Sequence, residues 1–191
     1  GTASGNLLTD DDGDGVDSDP DNATLFVSRI NGNPITNGQL VTLPSGARVQ
    51  IFTNGNYNYD TNGSFEHIPL GGQETDSFTY EVADGNGGFA TATVTITLTG
   101  ENDAPVAVDN VYTVAENAIR LGNVRTDNTG QGVDFDIDGD LFLVTDVNGT
   151  GITTPGQVIN LPSGAILTIN PGGGFQYNPN GVFNHLNDGD T

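Results

Sequence analysis

The 191-residue sequence contains no cysteine, no tryptophan and no lysine. Without cysteine the chain forms no disulfide, no thiolate metal site and no cysteine nucleophile. No apolar run approaches the ~18 residues that a membrane-spanning helix needs. No signal-peptide pattern opens the sequence, so we expect a mature protein or a window of a longer one. Serine-hydrolase, phosphate-loop and zinc-protease motifs are also missing, which predicts a protein that is not an enzyme.

Positive charge is almost absent as well. Twenty-five acids face four arginines, for a formal net charge of −21, and 20 of the acids are aspartate. Such a chain repels phosphate, so we expect neither a nucleic-acid partner nor membrane insertion. Because aspartate carboxylates suit hard cations, the composition suggests that divalent ions balance the charge. A solvated acidic surface is the alternative, and the positions of the acids decide between the two.

The sequence repeats itself once. Residues 5–67 and 122–185 are two copies of one pattern, offset by 117 near the start and by 118 after an insertion near position 155. A period of this length suits whole domains in tandem, and we place them at 1–103 and 104–191. The first copy lacks a counterpart of 105–119, its first strand, and the second lacks a counterpart of the hairpin at 76–100. Either the sequence is cut from a longer array, or neighbouring subunits lend strands to each other in a polymer.

Apolar residues alternate with polar ones, as in β-strands whose two faces meet different surroundings. The alternation is clearest at 77–82 and 91–98, which a glycine-rich hairpin loop at 84–88 connects. No window has helical spacing, so we expect an all-β fold of tandem antiparallel β-sandwiches with almost no helix. The further predicted strands are 24–30, 39–43, 47–52, 56–59, 106–114, 118–124, 141–147, 157–161, 165–169 and 174–177.

The first acidic cluster spans 10–21. Asp10, Asp12 and Asp14 occupy positions 1, 3 and 5 of a loop with Gly15 at position 6 and Asp21 at position 12. This spacing is that of a calcium loop, in which alternate carboxylates converge on the ion. A disordered acidic linker is the alternative. The candidate ligands here are Asp10, Asp12, Asp14, Asp17, Asp19 and Asp21.

A second cluster, at 134–140, aligns with the end of the first. Its acids alternate with Phe135 and Ile137, which places them on one side of an extended segment. An acidic strand edge is the alternative. A third set of oxygen-bearing side chains lies at the domain boundary, in the run 101–105, for which a polar linker is the alternative. The candidate ligands in these two regions are Asp134, Asp136, Asp138, Asp140, Glu101, Asn102 and Asp103.

Several of these motifs resemble cadherin repeats. The run 80–85, the strand 92–98 and the linker 101–105 resemble the end of such a repeat, and 112–117 resembles the Glu-Asn motif that opens the next one. The Leu-Pro-Ser-Gly turn and the 84–88 hairpin are most similar to bacterial cadherin-like and VCBS-type repeats of large secreted adhesins, commonly exported by type I systems. The resemblance implies bound Ca²⁺ at a domain junction, with ligands Glu101, Asn102, Asp103, Glu116, Asp134 and Asp136.

The resemblance therefore implies a calcium-rigidified extender of an extracellular or cell-surface adhesin or fibre. Its partners would be neighbouring repeats of the same protein, with a surface glycan or host receptor as a further possibility. Identical subunits exchanging strands in a filament are the first alternative. A carbohydrate-binding module that stacks sugars on Tyr57, Tyr59 or Tyr177 is the second, although packing within the sheet explains these residues better. His67 and His185 recur after a phenylalanine in both copies, which favours a structural role.

Overall fold

The computed structural model describes residues 1–13 and 15–186. The chain divides into two compact units, Gly1–Asn102 and Asp103–Thr191, here called the N-terminal and the C-terminal unit. The described residues form strands and turns and no helix, so none of them forms a helix that could span a membrane. The all-β fold expected from the sequence is confirmed.

Eight strands build the N-terminal unit as a sandwich of two antiparallel sheets. One sheet has the order β1-β6-β5-β4 and the other the order β3-β2-β7-β8. Apolar residues from both sheets meet in one core, where Val27, Val49, Ile51, Tyr59 and Phe78 are almost completely buried. The strands are β1 (Thr2–Asn6), β2 (Phe26–Ile30), β3 (Asn33–Pro34), β4 (Gln39–Thr42), β5 (Arg48–Ile51), β6 (Asn56–Asp60), β7 (Gln73–Ala83) and β8 (Phe89–Thr99).

The long β7–β8 hairpin closes this sandwich. Its strands pair in continuous register from Gln73–Thr99 to Ala83–Phe89. In β7, Phe78, Tyr80 and Val82 are buried in the core, as the alternation in the sequence predicts. Asp84 holds the connecting loop, because its Oδ1 accepts the backbone N–H groups of Asn86 and Gly88 at 2.7 and 2.9 Å. The same two bonds lower the pKa of Asp84.

The C-terminal unit repeats only part of this architecture. Its four-stranded sheet, β12-β13-β14-β9, matches the order β4-β5-β6-β1, and a two-stranded ladder, β10-β11, matches β2-β3. The described residues contain no counterpart of β7–β8. The core is correspondingly small and centres on Ile152, Ile159 and Ile169. The strands are β9 (Arg120–Asn123), β10 (Asp146–Val147), β11 (Thr150–Gly151), β12 (Gln157–Asn160), β13 (Ile166–Ile169) and β14 (Gly174–Asn178).

Several strand predictions were wrong. The segment 106–114 forms no strand and makes only one isolated bridge, Val106 to Phe135. Its amides at Val108 and Val111 instead bond to side chains, because no strand lies beside it among the described residues. The strand predicted at 141–147 shortens to β10 for the same reason. Strand β1, which pairs with β6, was missed altogether, as were the two-residue strands β3 and β11.

Candidate metal centre

A tight turn at 136–140 brings three carboxylates of the C-terminal unit together. Oδ1 of Asp136 accepts the backbone N–H groups of Asp138 and Asp140 at 3.0 and 3.3 Å, and Gly139 completes the turn with a φ of 76°. One carboxylate oxygen from each aspartate lies within 4.8 Å of the other two. Three hard oxygen donors at this separation can hold a divalent cation such as Ca²⁺.

Of the three aspartates, Asp138 is the best placed to bind a cation. Its Oδ2 accepts the backbone N–H of Asp103 at 2.7 Å, which ties the first residue of the unit to the turn. Its Oδ1 is buried and has no hydrogen-bond partner, and the same is true of Oε2 of Glu116. A buried carboxylate oxygen without a donor is costly. A bound cation would satisfy such an atom, so the donor set fits a calcium ion.

The structure does not gather every predicted ligand of this unit into one group. Among the described residues, the cluster of three aspartates excludes Asp134, Glu116 and Asp103. Oδ1 of Asp134 accepts the backbone N–H of Val108 at 2.7 Å, so this carboxylate fastens the opening segment of the unit. Ligand roles for these three residues stay predictions.

In the N-terminal unit, the aspartates of the first cluster bond to their own backbone. Oδ2 of Asp10 accepts the N–H of Asn6 at 2.6 Å, and Oδ1 of Asp19 accepts the N–H groups of Asp21 and Ala23 at 2.8 and 3.1 Å. Asp17 accepts the hydroxyl of Tyr80 at 2.9 Å. No group of three acids converges here among the described residues, from which Asp14 is excluded. The predicted loop ligands, including Asp12, therefore stay predictions.

Sequence reasoning missed three residues that organise these loops. Oδ1 of Asp11 accepts the N–H groups of Gly13 and Gly15 at 3.0 and 3.1 Å, and Asn128 makes the same pair of bonds in the C-terminal unit. Asp127 accepts the N–H of Asn123 at 2.8 Å, as Asp10 does from Asn6. The signal was present in the alignment of the two copies, because both positions keep an Asx side chain.

Two tyrosine hydroxyls donate to the carboxylates of these loops, Tyr80 from β7 and Tyr112 from the segment 106–114. Burial, followed by the hydrogen bond to Asp17, raises the pKa of Tyr80. Burial, followed by the hydrogen bond to Asp127 at 3.1 Å, raises the pKa of Tyr112. Both hydroxyls therefore stay protonated at neutral pH and act as donors to the loop carboxylates.

The predicted linker ligands Glu101 and Asn102 follow β8 at the end of the N-terminal unit, where Glu101 is exposed. Their role as ligands stays a prediction from the sequence.

Three of the aromatic residues singled out in the sequence, Tyr57, Tyr59 and His67, contact other side chains of the N-terminal unit. Tyr59 is buried, and Tyr57 packs edge-on against Phe78 with ring centroids 6.2 Å apart. His67 contacts a carboxylate, Glu74, with Nε2 and Oε1 3.0 Å apart on the surface. A buried tyrosine cannot stack on a sugar, which counts against the carbohydrate-binding alternative at this position.

Comparison with known proteins gave two family matches and a negative result. The family model of the bacterial cadherin-like domain matches residues 1–100, and that of the bacterial Ig domain matches residues 102–190. A search of curated proteins gave no match. The two matches follow one another along the chain and confirm the tandem arrangement of cadherin-like repeats that the sequence motifs predicted.

Proposed function

The chain belongs to the bacterial cadherin-like domain family, and from this premise we propose that it is a calcium-stiffened structural repeat that extends an extracellular adhesin or surface fibre. Bacterial cadherin-like and Ig domains are typically extracellular, structural and non-enzymatic. Calcium binding, the adhesin role and neighbouring repeats as partners are the proposed part, as is export by a type I system.

The observation that carries the calcium proposal is the position of Asp138. One of its oxygens holds the backbone of Asp103, and the other is buried without a partner beside two further carboxylates. An ion at this group would therefore offset most of the negative charge of the turn and, through Asp138, fix the start of the domain. The linker residues that precede Asp103 would lose freedom as a consequence.

Electrostatics favours an occupied site at neutral pH. Two unit charges 4.8 Å apart repel by on the order of 1 kcal/mol in bulk water and by several times more at a protein surface. Three aspartates contribute three such pairs, so the metal-free turn is destabilised. A divalent cation turns this repulsion into attraction, and extracellular calcium modules bind in the range of about 0.1–1 mM.

The decisive experiment measures calcium binding by titration calorimetry on the chelated chain and on Asp138→Asn. Asparagine keeps an acceptor for the Asp103 amide but removes the charge, so we expect the fold to persist and calcium affinity to drop at least about tenfold. Asp109→Asn is the matched control, because Asp109 is an exposed aspartate of the same unit outside the carboxylate group. The calcium affinity of Asp109→Asn should equal that of the unaltered chain.

The stiffening role needs a second measurement. Solution scattering of the chelated and the calcium-loaded chain reports on linker flexibility, and we expect a narrower distribution of particle dimensions with calcium. Binding without any change in scattering would leave a calcium site but refute the stiffening. Equal affinity of Asp138→Asn and Asp109→Asn would refute the site itself.

A further inference from the structure

Asparagine followed directly by glycine occurs seven times in the sequence. The pairs begin at Asn31, Asn37, Asn54, Asn62, Asn86, Asn148 and Asn180. In such a pair the backbone nitrogen of glycine can attack Cγ of the asparagine side chain, because glycine has no Cβ to obstruct the approach. The attack needs the two atoms in a near-attack geometry, so a hydrogen bond that restrains either group slows it. The local sequence is shared by all seven pairs, and the structure distinguishes among them.

Five of the seven asparagines have a side-chain amide that is held by a hydrogen bond. The partner is in each case a backbone group at 2.9 to 3.2 Å, namely the N–H of Thr79 for Asn31, of Thr53 for Asn37 and of Asn56 for Asn54, and the carbonyl of Gly46 for Asn62 and of Gly164 for Asn180. Each bond restrains the side chain, so attack on its Cγ competes with a contact of the folded state.

A sixth pair is protected at its glycine instead. The side chain of Asn148 makes no hydrogen bond among the described residues, but the N–H of Gly149 donates to Oδ1 of Asp146 at 2.8 Å. An N–H that donates to a carboxylate gives up its proton less readily, because the bond stabilises the protonated form. This single bond is therefore the protection of the pair.

Asn86 has neither protection. It is exposed in the loop between β7 and β8, and its side chain makes no hydrogen bond within the part of the chain that the structure describes. Among the backbone amides that lower the pKa of Asp84, the N–H of Gly87 contributes least. Gly87 has a φ of 103°, and a Cβ placed on it would meet nothing within 4 Å, so the space around its backbone is open to water.

We propose that Asn86 is a site of spontaneous modification, at which the side-chain amide is lost as ammonia and a carboxylate takes its place. The Gly87 nitrogen forms a bond to Cγ of Asn86, the Cγ–Nδ2 bond breaks, and ammonia leaves with the proton of the Gly87 nitrogen. Solvent water then opens the cyclic imide. Cleavage at Cγ gives an aspartate at position 86, and cleavage at the backbone carbonyl gives an isoaspartate. Neither step changes an oxidation state, and the formal net charge goes from −21 to −22.

The modification changes a loop that one carboxylate holds together. Oδ1 of Asp84 accepts the N–H groups of Asn86 and Gly88 at 2.7 and 2.9 Å. An isoaspartate adds one carbon to the backbone between these two amides, and its carboxylate adds like-charge repulsion close to Asp84. We therefore expect the loop to open, while the ladder from Ala83–Phe89 onward keeps the register of the hairpin.

Peptide mapping by mass spectrometry on the 191-residue chain, stored at mildly alkaline pH, measures the conversion at all seven pairs. We expect conversion at Asn86 to be at least about tenfold faster than at the other six, because those pairs must first open locally. The chain unfolded in guanidinium chloride is the control. There every pair has only its glycine neighbour, so the seven rates should be similar. Asn86→Ser should abolish the isoaspartate that enzymatic methylation detects in the folded chain.

A second variant tests the cause of the protection. Asp146→Ala removes the acceptor of the Gly149 N–H, and because Asp146 is exposed the fold should persist. Conversion at Asn148 should then rise about fivefold, the factor that corresponds to one net hydrogen bond of average strength. Asp109→Ala alters another exposed aspartate of the same unit and should leave this rate unchanged.

Three results would overturn the proposal. Equal conversion at all seven pairs of the folded chain would show that the fold does not select Asn86. The same ranking of the pairs in guanidinium chloride and in buffer would assign the selection to the sequence around each pair. Unchanged conversion at Asn148 in Asp146→Ala would refute hydrogen bonding as the cause of the protection.

Discussion

A matched pair of tyrosines tests how the two repeats differ. Tyr59 and Tyr177 occupy equivalent positions on β6 and β14, and replacing either with phenylalanine removes one hydroxyl and nothing else. In the N-terminal unit that hydroxyl donates to Asp76 at 2.9 Å and is buried. In the C-terminal unit the same hydroxyl has no carboxylate to donate to among the described residues.

The structure sets the size of the expected difference. A hydrogen bond to a charged group contributes about 1.5–3 kcal/mol, so Tyr59→Phe should lower the free energy of unfolding of its unit by about that amount. Asp76 keeps two acceptor bonds, to the hydroxyl of Ser45 and the amide of Ser77, so the loss should not exceed this range. Tyr177→Phe should cost less than about 0.5 kcal/mol, as for substitutions that break no buried bond.

Urea denaturation with calcium present measures both variants, and tyrosine fluorescence is usable because tryptophan is absent. The two units can unfold in separate transitions, and each variant identifies its own by the midpoint that it shifts. Equal losses of stability in the two variants would refute the reasoning, because Tyr177 would then have a buried acceptor comparable to Asp76. A negligible loss in Tyr59→Phe would show that the Asp76 network does not stabilise the N-terminal unit.

Three further outcomes are expected. Burial, followed by the hydrogen bond to Asp76, raises the pKa of Tyr59. The protonated hydroxyl therefore contributes its full stability below the unfolded pKa of about 10, and this contribution falls as the pH rises above that value. Thermal melts at alkaline pH should show a loss of stability that Tyr59→Phe does not show. Gly100→Ala should destabilise the N-terminal unit by several kcal/mol in chemical denaturation, because a Cβ would collide with two backbone carbonyls, whereas Gly172→Ala should be neutral since nothing lies within 4 Å. Calcium at 100 times its dissociation constant should add about 2.7 kcal/mol to the unfolding free energy of the chelated chain, and a tenfold or greater loss of affinity in Asp138→Asn should reduce this gain to about 1.4 kcal/mol or less in thermal melts.

The strands and turns were largely predictable because local rules determine them. Alternation places Phe78, Tyr80 and Val82 on the buried face of β7 whatever lies around it. The Pro-Ser-Gly turns need a left-handed residue, and both Gly46 and Gly164 adopt it, with φ of 94° and 92°. These features depend on residues that are close together in the sequence, so the sequence alone predicts them.

The strand predictions that were wrong failed because of missing or unforeseen pairing partners rather than because of strand propensity. The segment 106–114 alternates as well as many strands do, but its amides find side chains because no neighbouring strand is present among the described residues. A strand exists only where a second one meets it. The missed strand β1 is the converse case, in which Thr2–Asn6 pairs with β6 despite a weak pattern of its own.

The acidic clusters show why a metal site is harder to predict than a strand. Asp19 and Asp136 fold the same turn, each accepting the amides two and four residues ahead. The hydrogen bonds of the turn alone therefore account for an aspartate at this position, and calcium loops use the same spacing. The sequence pattern cannot separate these two uses.

The two turns differ in their last residue. The N-terminal unit has Ala23 at this position, and the C-terminal unit has Asp140, which completes the group of three carboxylates. One side chain therefore decides whether this turn brings three carboxylates together. Because Asp138 of that turn also holds the backbone of Asp103, any ion bound there acts directly on the start of its domain. The calcium proposal therefore rests on one of two equivalent turns, and the ligand roles of Asp19 and Asp21 in the other stay predictions from the sequence.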